Sequence, residues 1–169
     1  PLRSPVLPAA QQVHLEADLA RAQAELAAAP HSAEAGVWVG RRLAYLGRYR
    51  EAIEAFGRVI AEHPRDPHAY RHRGHRYITL RQFDRAIADL ARAAELTNGA
   101  PDEVEPDGAP NAAGIPRSTL QSNIWYHLGL AYYLTGDFAH ALSAYQAGLV
   151  VSRVNDDMLV ATSDWLYMT

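Results

Sequence analysis

One offset constrains this chain more than any other feature. Sliding the sequence by 34 residues lays Gly40 on Gly74, Leu43 on Tyr77, Tyr49 on Phe83, Ala52 on Ala86, Ile53 on Ile87 and Phe56 on Leu90. Columns that agree at a single shift mark an internal repeat. Each copy reads as two helices around a turn. Gly40 or Gly74 is small where two helices must approach closely, and Ala52 or Ala86 sits opposite. Leu43, Tyr77 and Phe56 fill the space between them. One such hairpin cannot bury its apolar face alone, so neighbouring copies stack. Leu46-Gly47-Arg48-Tyr49 supplies a left-handed helix end at Gly47 and then restarts. The second copy has Arg81 at that place, which predicts some backbone strain.

A third copy begins late. Gly74 to Gly129 and Ala86 to Ala141 are both 55 residues, one period plus 21. The excess lies in 98–117, whose four acidic residues, four prolines and three glycines exclude a helix. Ser118-Thr119-Leu120-Gln121 then reads as a capping box opening the next helix. That copy contains Trp125-Tyr126-His127-Leu128-Gly129-Leu130-Ala131-Tyr132, then Gly136-Asp137-Phe138 and Ala141-Leu142-Ser143-Ala144-Tyr145. Trp-x-x-Leu-Gly-x-x-Tyr followed by Ala-x-x-x-aromatic resembles the tetratricopeptide repeat (TPR) hairpin. The resemblance covers about residues 33–155, interrupted by the insert.

It implies an all-α fold, a right-handed superhelix of antiparallel helical hairpins (a TPR-like α-solenoid), with three hairpins plus flanking helices. Residues 1–8 read as an extended tail and 9–29 as a leading helix with Val13, Leu15, Leu19, Ala22 and Leu26 on one face. Repeat 1 spans 33–64, repeat 2 spans 67–97, the acidic Pro/Gly-rich insert 98–117, repeat 3 118–154, and a terminal helix 156–168 is capped by Asn155. The leading helix, repeats and terminal helix form a single domain over 9–169.

Composition narrows the function. Hydrophobic residues at 49% and charged ones at 21% are globular values. A net charge of −3 gives no basic field for nucleic acid. No apolar run reaches the roughly 18 residues that a membrane span needs. Cysteine is absent, so thiolate metal sites and disulfides are excluded. All 16 basic residues are Arg. Arg suits bidentate contact with carboxylates. The chain opens on Pro1 without methionine, which fits a removed leader or a trimmed chain and leaves a cytoplasmic or an exported location open. No nucleophile elbow, phosphate loop or zincin motif occurs, so the chain reads as non-enzymatic and without a cofactor.

In the TPR family the first helix of each hairpin lines a concave groove. The resemblance therefore puts Val37, Trp38, Arg41 and Tyr45 there from the first hairpin. His68, Arg71, His72, His75 and Thr79 follow from the second, and Asn123, Tyr126, His127, Leu130 and Tyr133 from the third. The carboxylate-clamp positions of some TPR domains hold Val37, Arg41, His72, Asn123 and His127 here. Only Arg41 and Asn123 are chemically near those residues, which argues against that clamp. Arg41, Arg71 and Arg76 with Trp38, Tyr45, Tyr126 and Tyr133 point to a protein or peptide partner of acidic character. If the histidines touch it, affinity rises as pH drops through about 6.5. Asp102, Glu103, Glu105 and Asp107 are candidates for a lid on the Arg/His surface. His68, His72, His75 and His127 form an alternative, a metal or small-ligand site. A second alternative is self-assembly through the terminal helix, whose Leu159, Trp165, Leu166 and Met168 are apolar for a free end.

Overall fold

A computed structural model describes residues 7–106, 118–152 and 156–169. Among them are eight helices: α1 (Ala9–Ala28), α2 (Ala33–Tyr45), α3 (Tyr49–Glu62), α4 (Pro67–Thr79), α5 (Phe83–Thr97), α6 (Leu120–Thr135), α7 (Phe138–Ser152) and α8 (Asp156–Met168). One isolated antiparallel bridge joins Val104 to Thr119. The architecture is all-α. It divides into two compact units, residues 1–82 with α1 to α4 and residues 83–169 with α5 to α8. Asn155 and residues 107–117 lie outside the described residues.

Local chemistry starts and stops the helices. Ser32 Oγ accepts from Ala35 N at 3.2 Å and caps α2. Asp66 caps α4, with Pro67 in its first turn where a missing N–H costs nothing. The box at α6 sits one residue later than expected. Thr119, not Ser118, is the cap, and Ser122 replies to the Thr119 backbone N–H in place of Gln121. A Thr-x-x-Ser pair does the same work because both hydroxyls donate and accept.

The repeat is visible in the turns. After α2, Arg48 N donates to Leu43 O at 3.0 Å; after α4, Gln82 N donates to Tyr77 O at 2.8 Å; after α6, Asp137 N donates to Tyr132 O at 3.0 Å. This six-to-one bond closes a helix through one left-handed residue. Those residues are Gly47 (φ 73°), Arg81 (φ 57°) and Gly136 (φ 80°).

In the first unit α2 packs against α1, α3 and α4. Phe56 is 1% exposed and lies so close to Gly40 that a Cβ there would enter the ring. Val37, expected in the groove, is instead 6% exposed within this core. On α1 only Asp18, Leu19 and Ala22 are buried. Val13, expected on the same face, is 67% exposed. Asp18 joins Arg42 at 3.2 Å and Arg21 at 3.3 Å, so an ion pair supplements the narrow apolar contact of α1.

In the second unit α6 packs against α5 and α7, and α8 packs against α7. Tyr145 is fully buried against Gly129, where a Cβ would stand 2.6 Å from its ring. Leu90, Ile124, Ala131 and Ala141 complete the core at 0% exposure. None of the described helices is long and apolar enough to cross a membrane.

Two stability measurements follow. Arg81→Gly relieves a left-handed residue with a Cβ and raises unfolding free energy by about 1 kcal/mol in urea denaturation. Gly40→Ala drives a methyl into Phe56 and lowers it by about 1–3 kcal/mol.

Candidate functional site

Trp38, Arg41 and Tyr45 follow one another at helical spacing along α2. Arg41 Nη2 donates to the Tyr45 hydroxyl at 3.3 Å, and its guanidinium lies 4.1 Å from the centre of the Trp38 ring. Arg42, held by Asp18, approaches the same indole at 4.9 Å. The Trp38 ring thus carries two cation–π contacts, each favourable because the indole face is negative.

On α4, Arg71 Nη1 donates to His72 Nδ1 at 3.1 Å. A guanidinium has no acceptor atom, so Nδ1 carries no proton and His72 is neutral. Burial is the main cause that holds its pKa well below the ordinary value, followed by Arg71, Arg41, Arg76 and His68. The imidazole stacks on Phe56 with centroids 5.7 Å apart. Arg76 is pushed down to about 10, chiefly by burial and then by Arg71, and remains a cation at neutral pH. Its guanidinium lies 5.6 Å from the Tyr49 ring centre. Three guanidinium groups from two helices therefore act on one neutral imidazole. Arg41, Arg71 and His72 are only 6–7% exposed, so they form a floor. Trp38, Tyr45, His68, His75 and Arg76 are half-buried and more open.

His68 has a structural task at the start of α4. Its Nδ1 lies 2.9 Å from Asp66 Oδ1, the cap atom that also accepts from His68 N at 2.8 Å. Burial raises the Asp66 pKa, but these bonds from His68 outweigh it and leave the carboxyl below its usual range.

In the second unit, Asn123 Nδ2 donates to Glu105 Oε2 at 3.0 Å and to Ser118 Oγ at 2.8 Å. His127 Nδ1 donates to the Asn123 carbonyl at 2.6 Å. Trp165 Nε1 donates to the Tyr126 hydroxyl at 2.9 Å. The Trp165 ring lies edge-on to Tyr133 at 5.2 Å and stacks over Tyr145 at 6.1 Å. Tyr126 and Tyr133, expected on an open surface, are thus engaged by α8. Among the described residues the buried Tyr145 hydroxyl meets no hydrogen-bond partner, and burial raises its pKa. Trp165 was not among the expected site residues. Its signals are the apolar character of the terminal helix and the 34-residue offset that pairs it with the core position Ala131.

The described part of the acidic insert, 98–106, is fastened to the start of α6. Asp102 Oδ1 accepts from Gln121 N at 3.0 Å, and Glu103 O accepts from Leu120 N at 2.9 Å. Glu105 N donates to Ser118 O at 3.1 Å, and Glu105 is 8% exposed. Asp102 and Glu103 thereby satisfy orphan N–H groups of the helix end, where negative charge is favourable. Asp107 lies outside the described residues. Among the described residues, no group of three or more His, Asp or Glu side chains is arranged to hold a metal ion, the alternative set His68, His72, His75 and His127 included. Val160 and Tyr167 of α8 are 70% and 92% exposed.

Comparison with known proteins agrees with the hairpin geometry. Tetratricopeptide repeat family models match residues 40–103 and 122–152, together more than half of the chain. Among solved structures, a thermophilic TPR protein of Thermus thermophilus is similar with a TM-score of 0.68 at 19% identity, over 91% of this chain and 74% of that one. The Sgt2 TPR domain from Aspergillus fumigatus is similar with a TM-score of 0.62 at 19% identity, over 80% of this chain and 75% of that one. The matched stretches contain the left-handed turns at Gly47, Arg81 and Gly136 and the ring-on-glycine contacts in both units, and the chain belongs to the tetratricopeptide repeat family.

Proposed function

We propose that the first unit binds an acidic peptide segment of a partner protein on the face shared by α2 and α4. Membership of the family supports a protein–protein interaction scaffold. The observation that carries the finer reading is the gathering of Arg41, Arg71 and Arg76 around a neutral His72, with the Trp38 ring against Arg41. Charge-assisted contacts to carboxylates are stronger than neutral ones. Trp38 and Tyr45 offer the rigid aromatic surface that anchors interfaces. Catalysis has no part in this reading.

Fluorescence anisotropy with a Glu-rich peptide and its Gln isostere tests it. The Glu peptide binds more tightly, and raising salt weakens it. Trp38→Ala and Arg76→Gln each weaken it about five-fold or more. Equal affinity for both peptides sinks the acidic reading.

His72 gives a second test with a definite sign. Its folded pKa lies below the unfolded value of about 6.5, so below that pH only the unfolded chain takes up the proton. Stability then falls with pH, by at most about 1.4 kcal/mol per unit from this residue. His72→Gln keeps an acceptor for Arg71 and loses about 1–2 kcal/mol less than the parent between pH 7 and 5 in thermal or urea unfolding. Peptide affinity gains nothing from His72 between pH 8 and 6, because the imidazole stays neutral.

A further inference from the structure

A cavity of about 100 Å³, open on one side, lies among the C-terminal end of α1, the start of α2 and the C-terminal half of α3. It is a separate feature from the α2–α4 face. Leu26, Val39, Ala55 and Val59 give it apolar walls. Two small residues leave the space. Gly36 carries no side chain where a Cβ would come 2.5 Å from Val59 Cγ2, and Ala55 is 4% exposed.

The mouth is charged. His31 Nδ1 lies 3.1 Å from Glu62 Oε2, and His63 Nε2 donates to the His31 carbonyl at 2.9 Å. These contacts fasten the turn before α2 to the end of α3. Arg58 also lines the cavity. Glu54 and Glu62 stand four residues before and after it on α3; Glu62 is turned to His31, and among the described residues neither pairs with Arg58. Among the described residues Arg58 makes no hydrogen bond or ion pair. A cation without an ion-pair partner among the described residues thus lines an apolar cavity.

We propose that this cavity binds a small apolar carboxylate, a free acid whose body is a branched aliphatic group or a single ring. The body lies against Leu26, Val39, Ala55 and Val59, and the carboxylate meets Arg58. An apolar cavity of about 150 Å³ takes up benzene, so this one, smaller at about 100 Å³ but open on one side, suits a compact group and excludes long chains. Burying the body supplies the hydrophobic gain, and Arg58 matches the planar carboxylate with paired N–H donors.

Amide-shift NMR titrations on the full chain with isovalerate and benzoate, set against isobutanol and benzyl alcohol, test this. The acids produce saturable shifts around Val39, Ala55 and Arg58 with a dissociation constant on the order of 1 mM. Arg58→Gln, on the exposed side of α3, weakens the acids about five-fold and leaves the alcohols unchanged. Ala55→Leu fills the cavity and removes both classes; should that variant fail to fold, the Arg58→Gln pair of titrations decides alone. The proposal is overturned by any of three results: no saturable shift at about 20 mM acid, acid affinity unaltered in Arg58→Gln, or a peptide ending in valine that binds there more tightly than isovalerate.

Discussion

An aromatic ring laid directly on a glycine is the contact on which each unit depends. Phe56 covers Gly40 in the first unit and Tyr145 covers Gly129 in the second, both rings almost wholly buried. With no side chain on the glycine, the two helices of a hairpin come close enough for the ring to close the gap. Ala52 and Ala141, both at 0% exposure, keep the approaching face small. Cores of this kind tolerate little change in volume, because close-packed neighbours have nowhere to move. The six-to-one bonds at the turns then fix the angle at which the chain re-enters the next helix.

On that frame the polar residues of the first helices take different roles in the two units. Around His72 the guanidinium groups keep their charge and the imidazole gives its up, so the positive charge beside it comes from arginine. In the second unit Asn123 holds Glu105, His127 caps its own helix carbonyl and Tyr126 receives Trp165. These bonds stabilise the fold through satisfied buried polar groups. Residues at matching repeat positions thus serve electrostatics in one place and architecture in the other.

Periodicity made the hairpins legible, since stacking demands the same small and large residues at the same columns in every copy. The strained turn at Arg81 was legible for the same reason, as its column calls for glycine. The cap of α6 was misjudged by one residue because Ser118, Thr119 and Ser122 all carry hydroxyls, and only geometry chooses among them. Val37 looked like a groove residue by register, yet the width of the α2 apolar stripe takes it into the core. Contacts between residues far apart in the chain left no pattern to read: Asp18 with Arg42, Trp165 with Tyr126, and His31 with Glu62. The neutrality of His72 was accessible in part, because like charges at helical spacing disfavour protonation; the burial that dominates it was not.

The shallow seat of α1 has a consequence for the interior. Three buried side chains and the Asp18 ion pairs secure a 20-residue helix, fewer buried side chains than any other helix of the first unit has. Leu26, near the end of that helix, is also a wall of the cavity beside α3. Any local opening of α1 would carry that wall away from Val39, Ala55 and Val59. The cavity is thus only as closed as the seat of one helix, which hydrogen exchange along α1 would measure.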